Sequence, residues 1–191
     1  VVCLTAQNIQ ITGNTFHTNG VSAFNAGGGI EIVGSGHTIN NNSFVGGKVY
    51  GIVLLASNTV VSGNTFTGNL PVVNPSPWTA IRIWNSNGNT VMNNTIQKHD
   101  VGIKLTGATG NTIFGNTIID NAVNINVDPS TSNTINGNLI GGGETGITII
   151  DSQTTTVHTN QIINNINGIV LQGSTGNLIY NNRFENTHNA S

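Results

Sequence analysis

The sequence predicts an all-β fold, a parallel β-helix (solenoid) with about eight turns, or rungs, of 22 residues and three short strands in each rung. Three observations support this prediction. A short phrase such as GNTF or GNTI recurs eight times along the chain. Apolar residues around it alternate with period 2, as in strands that bury one face. Gly, Asn, Ser and Thr interrupt these segments too often for a helix to form.

The recurring phrase defines one column of asparagines and, two residues later, a column of core Phe or Ile residues. Successive asparagines are 28, 22, 30, 22, 22, 22 and 22 residues apart, so the period is 22 with two insertions. Asn turns the chain through local hydrogen bonds, and stacked carboxamides bond from rung to rung. The sequence therefore predicts a structural Asn ladder. Its members are Asn14, Asn42, Asn64, Asn94, Asn116, Asn138, Asn160 and Asn182.

A second phrase, G-I-x-[ILV], repeats in step with the first and predicts a longer strand in each rung. Its two apolar positions should face the core, and the position between them should face outward. The same register in the first strand would place Val2 beside Ile30 and Cys3 beside Glu31. A rung cannot bury its apolar face alone, so stability should come from stacking.

Residues 1–191 are expected to form a single domain. Insertions are predicted near 17–29 and 67–80, and residues 185–191 form a tail. Only 6% of residues are charged and the net charge is −2, which argues against a nucleic-acid partner. No apolar run is long enough to span a membrane. The single cysteine, Cys3, is either an ordinary small apolar residue or a candidate for an intermolecular disulfide.

The 22-residue period, the G-I-x-[ILV] strand and the N-x-[FI] strand resemble the right-handed parallel β-helix repeats of the pectate-lyase-like superfamily. The rungs are most similar to the short rungs of NosD-like periplasmic proteins and bacterial or archaeal surface proteins. The resemblance covers residues 1–184 and implies the fold. It does not select a function, because the superfamily includes lyases, hydrolases, epimerases, phage tailspikes, adhesins and structural proteins.

Catalytic motifs of that superfamily are not found in the sequence, which favours a protein that is not an enzyme. Its lyases imply acidic Ca²⁺ ligands, its hydrolases an Asp cluster, and its alginate epimerases an Asp-Pro-His-Glu motif. The carboxylates are only Glu31, Asp100, Asp120, Asp128, Glu144, Asp151 and Glu185. The segment Lys98–Asp100 is interpreted as a solvated turn. The histidines fall in different columns, so no metal and no cofactor are expected.

The outward side of the G-I-x-[ILV] strands is the candidate ligand or interface surface. Its candidate residues are Arg82, Trp84, Lys104, Trp78, Val53, Leu55, Ile150 and Val170. Both insertions border this surface. Three interpretations stay open: the 67–80 insertion covers the apolar residues, another protein binds them, or a sugar stacks on them. Arg82 and Lys104 should lie one rung apart, which would suit an acidic sugar.

The sequence favours a non-catalytic structural or adhesive module of an extracellular or cell-surface assembly such as a sheath, filament or fibre. No cap can be recognised at either end, so copies are expected to associate through open rung ends or an apolar face, unless the chain is a piece of a longer solenoid. The alternative is a domain that binds or cleaves polysaccharide. Glycosylation sequons at Asn41, Asn93 and Asn189 are weak support for export.

Overall fold

The structure, a computed structural model, describes residues 2–17, 28–46, 50–69 and 78–186, apart from the side chains of residues 2–5 and 28. Parts of both predicted insertions (18–27 and 70–77), His188 and the Asn189 sequon lie outside these ranges. The described residues form strands and no helix. In chain order the strands are β1 (Val2–Gln7), β2 (Gln10–Thr12), β3 (Thr15–His17), β4 (Gly28–Ser35), β5 (Thr38–Asn40), β6 (Ser43–Val45), β7 (Tyr50–Ser57), β8 (Val60–Ser62), β9 (Thr65–Thr67), β10 (Thr79–Trp84), β11 (Thr90–Met92), β12 (Thr95–Gln97), β13 (Val101–Thr106), β14 (Thr112–Phe114), β15 (Thr117–Ile119), β16 (Val123–Val127), β17 (Thr134–Asn136), β18 (Leu139–Gly141), β19 (Thr145–Ile150), β20 (Thr156–His158), β21 (Gln161–Ile163), β22 (Asn167–Gln172), β23 (Leu178–Tyr180) and β24 (Arg183–Glu185).

Every third strand joins the same parallel sheet. Sheet 1 contains β1, β4, β7, β10, β13, β16, β19 and β22; sheet 2 contains β2, β5, β8, β11, β14, β17, β20 and β23; sheet 3 contains β3, β6, β9, β12, β15, β18, β21 and β24. In sheet 1, Ile81 pairs with Ile52 on one side and with Ile103 on the other, as the repeat predicts. The predicted fold class, a parallel β-helix with three strands per rung, is confirmed.

Apolar columns from all three sheets fill the interior. Ile81 of sheet 1, Ile113 of sheet 2 and Ile96 of sheet 3 are each completely buried. In the first rungs of sheet 3, Phe16, Phe44 and Phe66 stack with ring centroids 4.7 and 4.5 Å apart. Each column residue therefore packs against its counterpart in the next rung, so one continuous core runs along the whole stack of rungs.

The asparagines of the repeated phrase form a hydrogen-bonded ladder between sheets 2 and 3. The Nδ2 atom of Asn94 donates to the Asn116 Oδ1 atom at 3.0 Å and to two carbonyl oxygens, each at 3.0 Å. The backbone N–H of Asn94 donates to the same Oδ1 atom at 2.9 Å. The six inner asparagines of this ladder are buried, whereas Asn14 at one end is exposed and Asn182 at the other end is half-buried. Each inner asparagine thus satisfies backbone groups that the turn leaves without strand partners.

A second polar ladder lies between sheets 1 and 2. The backbone N–H of Asn89 donates to Asn111 Oδ1, and that of Asn111 donates to Asn133 Oδ1, both at 2.9 Å. Thr59 and Thr155 continue the column. This ladder was not predicted, although Asn-Thr before an apolar residue occurs at three of these positions. The signal weakens where threonine replaces the asparagine.

The register predicted for the first strand is wrong. Val2 pairs with Glu31 and Cys3 pairs with Ile32, one residue away from the predicted partners. The pairing then shifts between Cys3 and Ala6, where the ladder is irregular. A bulge of this kind changes the residue count between two strands, which a fixed spacing does not reveal. Cys3 therefore does not share a row with Glu31, and its proposed intermolecular disulfide stays a prediction.

Candidate functional site

Outward-facing residues of sheet 1 bring two cations and two aromatic rings together. Arg82 of β10 pairs with Lys104 of β13, and Trp84 pairs with Thr106 in the same two strands. Alternation along a strand places these residues on the side away from the core. On one side of these two strands β10 pairs with β7, and on the other side β13 pairs with β16. We call this surface the Arg82 face and define it by Tyr50, Arg82, Trp84, Lys104, Thr106 and Asn126.

Two aromatic rings hold the guanidinium group of Arg82. Its Nη1 atom donates a hydrogen bond to the hydroxyl oxygen of Tyr50 at 2.8 Å. Its Cζ atom lies 4.1 Å from the ring centroid of Trp84 and 5.5 Å from that of Tyr50. Cation–π contacts of this kind are attractive. Arg82 is half-buried, and 38% of Trp84 is exposed, so the cluster is open to solvent on one side.

Three buried polar atoms without a hydrogen-bond partner lie on this face. They are Arg82 Nε, Thr106 Oγ1 and Asn126 Oδ1. Parallel pairing places Asn126 next to Lys104 and Thr106 next to Trp84, so the three atoms belong to adjacent rungs. Buried polar groups are normally hydrogen-bonded. These three atoms are covered by the protein itself, so a ligand does not reach them while the side chains keep this arrangement.

Other residues of the predicted surface are placed differently. Only 7% of Val53 and 8% of Trp78 are exposed, so neither side chain lies on the open surface, and Trp78 offers no free ring for stacking. The backbone N–H of Trp78 donates to Asp100 Oδ2 at 2.7 Å, which fixes the chain just before β10. Burial of Trp78 agrees with the alternative in which the 67–80 insertion covers part of the surface.

The remaining apolar candidates do not form one contiguous patch. Leu55, Ile150 and Val170 are each half-buried. By register, Thr106 and Asp128 lie between Trp84 and Ile150 in the outward column of sheet 1. Polar residues therefore separate Leu55 from Ile150 and Val170. This interruption favours a mixed polar and aromatic ligand surface over a broad apolar interface.

The interpretation of Lys98–Asp100 as a solvated turn is wrong at its centre. His99 is 5% exposed, and its backbone N–H donates to Asn121 Oδ1 at 2.9 Å. Burial lowers the pKa of His99 from its usual 6.5 to about 4, because the charged imidazolium would lose its hydration. Its Nε2 atom has no hydrogen-bond partner. His99 thus lies in a third column of turn residues, between sheets 3 and 1, in which Asn121 follows it in the next rung.

Tyr50 is the member of the site that the sequence did not reveal. It pairs with Thr79 across β7 and β10, two residues before the Ile52–Ile81 pair. Tyr50 and the inward-facing Ile52 are two residues apart, so alternation alone would place Tyr50 on the core side. The sequence therefore carried no signal for its contact with Arg82.

A parallel β-helix with a cationic, aromatic face on one sheet is therefore the class of protein that the fold and the site define. Residues 72–191 match the sequence model of the family described as "Periplasmic copper-binding protein (NosD)". Because this match covers more than half of the chain, the protein belongs to the NosD family. The resemblance of the repeats to this group is thereby confirmed.

Solved structures share the fold at low sequence identity. The periplasmic alginate epimerase AlgG matches with a TM-score of 0.70 and 17% identity, over 96% of this chain and 46% of AlgG. The A-module of mannuronan C-5 epimerase AlgE6 from Azotobacter vinelandii matches with a TM-score of 0.50 and 19% identity, over 93% of this chain and 58% of the module. The chain thus spans about half the length of AlgG. None of the curated proteins matches the sequence.

The donor set of the described residues does not fit the copper site that the family description implies. Copper in proteins favours His, Cys and Met ligands. No group of three or more His, Cys, Asp or Glu side chains gathers within the described ranges. His37 and His99 are buried in separate turn ladders, and the Nδ1 atom of His158 bonds to Thr159. We therefore derive no chemistry of this chain through copper.

None of the described segments is a helix of the length and hydropathy that crossing a bilayer requires. The NosD family and AlgG are both described as periplasmic.

Proposed function

We propose that this protein is an exported β-helix that binds a polysaccharide, preferably an acidic one, on the Arg82 face. The observation that carries the proposal is the Arg82 guanidinium group held between Tyr50 and the partly exposed ring of Trp84. Aromatic rings offer apolar area to the C–H faces of sugars, and cations attract carboxylates. The alginate epimerases AlgG and AlgE6 share this fold, which supports a polysaccharide ligand.

The electrostatics of the face support an anionic ligand in a chain that is slightly acidic overall. Arg82 and Lys104 lie in adjacent rungs of one column, where parallel strands are about 4.8 Å apart. Only 6% of the residues are charged, so two neighbouring cations are a local concentration of positive charge. Asp128 lies two rungs from Trp84 in the neighbouring column and limits the cationic region on that side.

Binding is tested by titrating the purified protein with alginate and with polygalacturonate in a calorimeter, with affinity electrophoresis as a second measurement. Trp84→Ala should weaken binding about tenfold, because it removes the exposed ring and one support of Arg82. Tyr180→Ala is the matched control, since it removes an exposed aromatic ring from sheet 2. The proposal is wrong if the wild-type protein binds neither polymer, or if Trp84→Ala and Tyr180→Ala bind equally well.

Export is part of the same proposal, supported by the periplasmic description of the family and of AlgG. Fractionation of cells that produce the full-length native protein should recover it outside the cytoplasm. Self-association into a sheath, filament or fibre stays a prediction of the sequence. Light scattering on the native material tests it, with large particles in its favour and a species of about one chain's mass, 19.9 kDa for this sequence, against it.

A further inference from the structure

The guanidinium group of Arg82 makes its contacts with the protein itself. Its Nη1 atom donates to the hydroxyl oxygen of Tyr50 at 2.8 Å, and its Nε atom is buried, so neither atom is open to a ligand. Its Cζ atom lies over the Trp84 ring, 4.1 Å from the ring centroid. Cation–π contacts are attractive, and tryptophan is the best aromatic partner. These contacts suit a residue that holds its neighbours in place.

Trp84 is the member of this pair that reaches solvent. It is the last residue of β10, and 38% of it is exposed. A mobile side chain must be ordered when a ligand binds, which lowers the affinity. A change of rotamer at Trp84 would break its contact with Arg82, so the contact favours one arrangement of the ring before a ligand arrives. The parts of the ring that Arg82 leaves uncovered can then receive the C–H face of a sugar.

Lys104 is the cation of this face that remains open. It is half-buried and lies beside Arg82 in the next rung. Its ammonium group forms no hydrogen bond or ion pair with the described residues, and it is not among the buried polar atoms that lack a partner, so it reaches solvent. A lysine ammonium group is a compact charge on a flexible stem. It can therefore follow an anionic group of a ligand without a fixed geometry.

We propose that two different residues of the Arg82 face contact the polysaccharide: the exposed ring of Trp84, held by Arg82, contacts the sugar rings, and Lys104 contacts their carboxylates. This inference rests on the proposed polysaccharide-binding function and assigns its subsites. Arg82 is a positioning residue, because it acts on the ligand through Trp84. Loss of the Arg82 guanidinium group should therefore weaken binding even of a polymer that carries no charge.

Calorimetric titration with a charged and an uncharged form of one polymer tests this assignment. The probes are oligogalacturonates and their carboxyl-reduced counterparts, in which each carboxylate is replaced by a hydroxymethyl group. Arg82→Met should weaken binding of the carboxyl-reduced form about three- to tenfold, because the ligand must then order the Trp84 ring. Lys104→Met is the matched control in the next rung. It should weaken binding of the carboxylated form only, and more at low salt than at high salt.

Two further measurements separate positioning from a general loss of structure. In the Trp84→Ala background, Arg82→Met should weaken binding of the carboxyl-reduced form no further, since the ring on which Arg82 acts is gone. The chain has two tryptophans, so Trp78→Phe leaves Trp84 as the only one. Fluorescence anisotropy decay of that variant should show faster motion of the Trp84 ring after Arg82→Met. Thermal unfolding checks each fold, and Tyr50→Phe, which removes the hydroxyl that holds Nη1, replaces Arg82→Met if the latter is unstable.

Different results separate this inference from the function on which it rests. The inference is refuted if Arg82→Met weakens binding of the carboxylated form only, because Arg82 is then a direct contact for the anion. It is also refuted if the wild-type protein binds the carboxylated form alone, or if Lys104→Met leaves the preference for that form unchanged. In these cases the polysaccharide-binding function stands. If neither form binds, the proposed function itself fails and the subsites fail with it.

Discussion

Replacing Asn116 by alanine tests whether the buried Asn ladder carries stability. The side-chain amide of Asn116 donates to Val91 O, Phe114 O and Asn138 Oδ1 at 2.9, 3.1 and 3.0 Å. Its Oδ1 atom accepts from the backbone and the side chain of Asn94 at 2.9 and 3.0 Å. Alanine removes all five hydrogen bonds and leaves a buried backbone N–H of Asn94 without a partner.

The expected loss of stability follows from these contacts. A net hydrogen bond contributes about 1 kcal/mol, and a buried donor without a partner costs about 1–3 kcal/mol. Since the five bonds share atoms and are not additive, we expect Asn116→Ala to lower the free energy of unfolding by about 3–5 kcal/mol. For a chain of this size, that corresponds to a decrease in Tm on the order of 10 °C.

Asn14 provides the matched control at the end of the same ladder. It is exposed, and its side chain donates to Thr12 O and Asn42 Oδ1 at 3.0 and 3.1 Å. Water replaces these bonds after mutation, so Asn14→Ala should cost about 1 kcal/mol or less. Urea unfolding followed by circular dichroism measures both variants. Equal effects of Asn14→Ala and Asn116→Ala would refute the argument that burial of the ladder determines its contribution.

Two further predictions concern pH and close packing. His99 has a pKa of about 4 in the folded chain and an ordinary value near 6.5 in the unfolded chain, so only the unfolded chain gains a proton as the pH falls between these values. The free energy of unfolding should therefore be constant with respect to His99 above pH 6.5 and should decrease by about 3 kcal/mol on acidification to pH 4. His99→Asn introduces the residue type found at the next position of the column, Asn121, and should flatten this pH dependence in unfolding curves. An unchanged slope would contradict the assignment to His99. A Cβ atom at Gly68 would lie 2.0 Å from the backbone oxygen of Lys98, whereas one at Gly110 would meet nothing within 4 Å. Gly68→Ala should thus destabilise the fold by about 3 kcal/mol or more. Gly110→Ala should cost about 1–2 kcal/mol, from its positive φ alone. Thermal unfolding measures both variants, and an equally large loss for Gly110→Ala would show that contact with the next rung is not the cause.

The sequence predicts the repeating part of the molecule well, because the physical constraint repeats with it. Every rung needs an apolar residue such as Ile96 or Ile118 at the same position, since each packs on its counterpart. The second polar ladder is harder to recognise, because Asn, Thr and His all occur in it. What the backbone requires there is a side chain that reaches an N–H group of the neighbouring rung, and more than one residue type meets this need.

Predictions fail where two rungs differ in residue count. The irregular pairing after Cys3 changes the register of β1. Tyr50 was missed for another reason: alternation from Ile52 points it toward the core, yet its hydroxyl contacts Arg82. Burial of His99 was also missed. Spacing shows which side of a strand a residue occupies, but it does not show whether another segment lies over that side.

The outward columns explain why the candidate site lies where it does. Inward positions of sheet 1 change little between rungs, because the core tolerates only apolar side chains of similar size. The outward column that contains Val53, Arg82, Lys104, Asn126 and Thr148 changes residue type at almost every step. Stacking does not require this variety, so these positions are free to carry binding chemistry. The interior of this solenoid repeats and its surface does not. The surface can therefore carry a single oriented arginine without weakening the hydrogen-bonded ladders that hold the rungs together.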